Sequence, residues 1–154
     1  MTIFHVFQRL NGLQWLWLLE AYLRLWAILI RIKVKQQNWL QAQFTFEDSQ
    51  TEAKETQNLI ALKMHESVRL AARLHFLTVK CLPRAIALNA MLRCRGFDTN
   101  VVLGVKVNQC NFDADNRFIP SLASHAWVEL SGNMIGEPEA VAERFVSIGA
   151  PVDN

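Results

Sequence analysis

Across residues 10–30 the chain is almost continuously apolar, and only Glu20 and Arg24 interrupt it with charge. Four of the five tryptophans, Trp15, Trp17, Trp26 and Trp39, fall in or just after this stretch. Its length suits a bilayer crossing, but two mid-span charges are expensive in lipid, and their i, i+4 spacing suits an ion pair on one face of a helix. A secretory signal is a poor fit, because MTIFHVFQRLNG has neither a basic start leading into an uninterrupted apolar core nor a small-residue cleavage site. Two readings of the helix stay open: an unusually apolar core helix, or one partly exposed for a protein partner or a membrane surface. The basic residues Arg31, Lys33 and Lys35 that follow suit anionic headgroups as well as plain solvent.

Polar residues over 36–50 predict a connection, and Ser49 with Glu52 has the form of a capping box opening a second helix. Ile60, Met64, Val68, Ala71 and Leu74 give that helix one apolar face; His65 and His75 fall off the stripe and read as surface or boundary residues. A third helix is predicted over 81–95. Pro83 is tolerated only in a first turn, and Arg93, Arg95 and Gly96 form a C-terminal signature. The period then changes: Val101, Leu103, Val105 and Val107 alternate as a strand, a polar loop spans 108–121, and 124–130 makes a second strand. Ser131, Gly132 and Asn133 form a tight turn into a short third strand, and residues 140–148 suit a terminal helix. The expected architecture is α+β in a single domain, 1–154, with an apolar helical region over 1–48 and the core over 49–154.

Composition narrows the function. Sixteen basic against fourteen acidic residues, a net charge of +2, is too even for a nucleic-acid footprint. Cys81, Cys94 and Cys110 are too few for a disulfide scaffold, so a reducing cytoplasm is expected. Their wide spacing disfavours structural zinc, which usually uses close-spaced pairs, and no metal is expected. Asp113 and Asp115 start like a calcium loop but lack its Gly and its terminal Glu.

The chemistry lies elsewhere. Cys81 falls at a helix N-terminus, whose partial positive charge favours a thiolate and whose N–H groups can serve an oxyanion. His125, on a strand, is the candidate base, and a carboxylate must fix its tautomer. Glu137 sits across the hairpin from the His region. Glu129 shares the strand and face of His125 but lies about 13 Å along it, so Glu137 is preferred.

The segments CLPRAIALNAMLRCRGF and HAWVELSGNMIGEP, with LGV between them, resemble the transglutaminase-like cysteine proteases of lasso-peptide biosynthesis. The resemblance runs over 67–139 and implies a papain/transglutaminase-like core: a helix bearing the Cys, then a small antiparallel sheet, behind a helical N-terminal half. It implies Cys81 as nucleophile, His125 as base and Glu137 at the position usually held by Asp. The Glu is one methylene longer, and Ser124 replaces the usual Ala beside the His. The implied activity is removal of the leader from a ribosomal precursor, with no cofactor. The implied partners are the precursor's leader peptide, a separate leader-recognition protein of the kind short family members use, and an ATP-dependent lasso cyclase. Another transglutaminase-like amidase or acyltransferase, and a non-catalytic docking module, are the alternatives.

Overall fold

The computed structural model describes residues 11–34, 55–107, 111–112, 118–119, 122–138, 141 and 144–148. The apolar N-terminal run forms α1, Gly12–Lys33, and the Gln14 side chain accepts a hydrogen bond from the Asn11 N–H at its start, at 3.0 Å. Trp17, Leu18, Ala21, Leu25 and Ile28 repeat at helical spacing and are buried, while Leu13, Leu16, Leu19 and Leu23 face outward. By length and composition α1 could cross a membrane, yet its inner face is part of the protein core.

Helix α2, Glu55–Leu74, packs on α1 through a face that buries Ala61, Met64, Ser67, Val68 and Ala71. The Ser49–Glu52 capping box lies outside the described residues. Helix α3, Cys81–Arg93, is buried nearly all round and touches α1, α2 and the sheet, so the core is built about it. Complete burial of side chains such as Ile86, Met91 and Leu92 stabilises by about 1.5–3 kcal/mol each. Asn89 is the polar exception; its Oδ1 accepts the Thr99 hydroxyl at 2.7 Å, so neither buried group is left unpaired there. Both ends of α3 obey their sequence signals. Pro83 falls in the first turn, where its missing N–H removes a donor that has no partner within the helix. At the other end the Phe97 N–H reaches the Leu92 carbonyl at 3.2 Å and the Gly96 N–H the Arg93 carbonyl at 3.0 Å, with Gly96 at φ 77. That pair of bonds is a Schellman motif, which needs the left-handed residue glycine supplies.

The chain beyond α3 runs into an antiparallel sheet of order β5-β4-β1-β6, made of β1 (Thr99–Val107), β4 (Leu122–Leu130), β5 (Asn133–Met134) and β6 (Val146–Ile148). Within the 108–121 segment, β2 (Asn111–Phe112) pairs with β3 (Phe118–Ile119), a small hairpin where the sequence suggested only a loop. β4 joins β5 through Ser131 and Gly132, both at positive φ, the geometry of a primed hairpin turn. The expected helix over 140–148 is corrected at its end. Val141 and Arg144 are helical, but Val146–Ile148 is extended and pairs with Leu103–Val105, because β1 offers an open edge whose backbone groups need partners.

Register fixes what each sheet face carries. Val101, Leu103, Ala126 and Val128 turn toward the helices and join their core. On the opposite face Gly104 stands beside His125, and a Cβ there would lie 2.6 Å from the Trp127 indole and 2.7 Å from Phe145 Cβ. Glycine at 104 is what lets that ring lie across the strand.

The charges inside α1 act as a clamp. Glu20 pairs with Arg24 at 2.9 Å, as the spacing predicted, and with Arg95 just past α3 at 2.6 Å. Burial alone would push the Glu20 carboxyl up, but the hydrogen bonds from Arg95 and Arg24 outweigh it and hold the carboxyl below its ordinary value of 4.5. A carboxyl lowered in the folded state adds stability above its unfolded pKa and loses it as pH falls through the folded value. Glu20→Gln should therefore lower stability by about 1 kcal/mol at neutral pH, the upper end for a partly exposed pair. The gap from wild type in thermal melts should close as the buffer is taken below about pH 4.5.

Candidate active site

Cys81 is the first residue of α3, following Lys80 in extended backbone, and its side chain is half-buried. Its position is set by the Pro83 start signal and by the burial of the helix behind it. Cys81 lines an open cavity together with His65, Arg69, Arg84 and Glu137. Val68, Ala85, Leu88, Val128 and Ile135 form its apolar wall.

Glu137 reaches this cavity because the chain turns sharply after β5. The Ile135 N–H still bonds to the Val128 carbonyl at 2.9 Å, and Ile135 is buried. Gly136, at φ 71, then swings the backbone so that Glu137 lies beside His125, with Oε2 3.4 Å from Nε2. Both side chains keep about 20% of their surface exposed, so the pair is shielded but reachable. The His125 ring is held between Trp127, at 6.1 Å between ring centroids, and Phe145, at 5.5 Å.

The structure thus joins the three sequence candidates in two steps: Cys81 shares a cavity with Glu137, and Glu137 meets His125. It shows no hydrogen bond between Cys81 Sγ and His125 among the described residues; Nε2 is buried without a hydrogen-bond partner, and Glu137 Oε2 stands 3.4 Å from it as an ion-pair contact. The other carboxylate is engaged elsewhere, since Glu129 Oε1 accepts the Trp127 indole N–H at 2.8 Å. Cys94 sits at the opposite end of α3, about 20 Å away, so it cannot share a metal with Cys81. Cys110 lies outside the described residues.

Of the two histidines read from sequence as surface or boundary residues, His65 is half-buried at a boundary and His75 is buried. His75 is buried among Tyr22, Trp26 and Phe76, and its Nδ1 accepts the Leu77 N–H at 3.3 Å. His65 lines the Cys81 cavity, and burial pushes its pKa below the ordinary 6.5. The helical stripe carried no sign of this, because the neighbour that meets His65, Gly136, is 71 residues away in sequence.

A thiol at a helix start, facing a carboxylate that meets an imidazole, is an arrangement suited to acyl transfer through a thioester. No curated protein and no solved structure matches the chain significantly. Residues 24–150, from within α1 to just past β6, match the family described as Transglutaminase-like superfamily, whose members include cysteine proteases and acyltransferases. Helical N-terminal half, cysteine-bearing helix and small antiparallel sheet are an α+β fold of this kind, and the chain belongs to the transglutaminase-like superfamily.

Proposed function

We propose that the chain is a cysteine peptidase that removes the leader peptide from a ribosomal lasso-peptide precursor, with Cys81 as nucleophile, His125 as base and Glu137 as the orienting carboxylate. The observation that carries this reading is Glu137 itself, which lines the cavity of Cys81 and stands 3.4 Å from His125. The Cys81 thiolate adds to the scissile carbonyl, its proton having passed to the imidazole; the N–H groups at the start of α3 receive the oxyanion. The tetrahedral adduct collapses as imidazolium protonates the leaving amine, which departs and leaves a thioester on Cys81. Water, deprotonated by the same imidazole, then releases the leader as a carboxylic acid and restores the thiol. Catalytic hydrogen bonds tighten in the substrate complex; because Glu137 stands at Nε2, the proton path from Sγ runs to the other ring nitrogen, Nδ1, and closes there.

The reading also assigns partners: the precursor's leader, a separate leader-recognition protein and, downstream, an ATP-dependent cyclase that uses the freed amine, all in the cytoplasm. The outward Leu16, Leu19 and Leu23 of α1 offer apolar surface for the recognition protein or for peripheral membrane contact; Trp17 belongs to the core.

The test is cleavage of a lasso precursor by the full chain with its leader-binding protein, read by mass spectrometry. Release of a leader with a free carboxylate supports the peptidase; a leader joined to an added amine would instead show an acyltransferase. Glu137 variants refine it. Glu137→Gln keeps shape but loses the charge that stabilises imidazolium, and should fall about a hundredfold or more, while Glu137→Asp should retain much more activity. Glu129→Gln should matter little, because that carboxylate is bound to Trp127. An active Glu137→Gln beside an inactive Glu129→Gln would move the orienting role to Glu129.

A further inference from the structure

Glu137 owes its place to the residue before it, and that residue is held by a side chain from a different element. The His65 ring, from the middle of α2, lies so close over Gly136 that any Cβ at position 136 would fall onto Nδ1, Cε1 and Cγ of the imidazole. Gly136 is at φ 71, so the backbone that delivers Glu137 is one only glycine adopts freely, and it is covered on one side by this ring.

We propose that His65 is a positioning residue for Glu137: its ring, wedged against Gly136, fixes the turn that aims the carboxylate at His125. This role rests on the triad reading above. The charged surroundings fit it. Burial pushes the His65 pKa down, Glu66 and Glu137 pull it up, and Arg69 and Arg84 push it down again; the net shift is below 6.5. With Cys81 as the remaining titratable group in the cavity, His65 stays a neutral wedge near pH 7 and adds no competing cation for Glu137.

The experiment reads Cys81 without any substrate: the rate of iodoacetamide labelling at that residue, followed by mass spectrometry at about pH 6 and about pH 8.5. A thiolate sustained by imidazolium and Glu137 stays reactive at the lower pH, whereas an ordinary thiol is about a hundredfold slower there. His65→Ala should lose about tenfold at pH 6 and little at pH 8.5, because the misplaced carboxylate no longer supports imidazolium. His65→Phe, which restores a flat neutral ring, should recover most of that loss. Gly136→Ala should reproduce the His65→Ala profile by displacing the ring, and it serves if His65→Ala fails to fold. Were His65→Phe as slow as His65→Ala, the ring would be carrying a proton and the positioning role would be overturned. A reactive wild type with an unchanged profile in both His65→Ala and Gly136→Ala overturns that role alone. A wild type that behaves as an ordinary thiol overturns the triad, and this role with it.

Discussion

Cys81→Ala is expected to abolish precursor cleavage, with a loss of at least about 10⁴-fold, while leaving the fold intact. The thioester route has no substitute once the nucleophile is gone, and what survives is only the rate that binding and the oxyanion donors supply. The fold should tolerate the change because Cys81 is half-buried and opens onto a cavity, so shortening it enlarges space already present. The first turn keeps its backbone donors, and alanine favours the helix. The comparison is with Cys94→Ala, whose thiol is exposed at the end of α3 and accepts a hydrogen bond from Arg24 at 3.4 Å, and with Cys110→Ala. Both should cleave at close to the wild-type rate. If either were as inactive as Cys81→Ala while soluble and folded, the nucleophile would be wrongly assigned, however well Cys81 sits at its helix start.

What the sequence revealed, and what it withheld, divides by the range of the interaction. Local signals were faithful. Pro83 and Gly96 bounded α3, the first by a missing donor and the second by a left-handed turn, and both lie where the pattern put them. Alternating valines placed β1, and Ser131 with Gly132 placed the hairpin whose geometry brings Glu137 back toward His125. The Glu20–Arg24 pair was legible from its spacing alone, but Arg95, the stronger partner of Glu20, is 75 residues distant and nothing in α1 announces it.

The same limit hid His65. Off the apolar stripe, a histidine on α2 is indistinguishable from a surface residue until the turn after β5 arrives beside it. The end of the chain failed for a related reason: Val146–Ile148 has enough apolar character for either period, and the open edge of β1 decides for strand. The exposed leucines of α1 show the reverse case, where composition raised the question and burial answered half of it. The helix is both core and surface, with Leu25 wholly buried and Leu23 60% exposed.

His125→Ala should cut turnover by about 10³-fold or more, because one ring both takes the thiol proton and returns it to the leaving amine. The size of the loss separates it from the neighbouring imidazole. His65 acts through Glu137, so its removal costs about tenfold, whereas removing His125 leaves the thiol, the carboxylate and the oxyanion donors with no carrier between them. The ring is packed between Trp127 and Phe145, so alanine also opens a small void on that sheet face, and part of any loss could come from loosened structure. His125→Gln separates the two effects, since it refills much of the void but cannot shuttle a proton at neutral pH. Thermal melts should show His125→Gln more stable than His125→Ala, and cleavage should show both equally inactive. Near-normal turnover in either variant would remove His125 from the mechanism and leave His65, whose imidazole lines the Cys81 cavity, as the group to test for proton transfer.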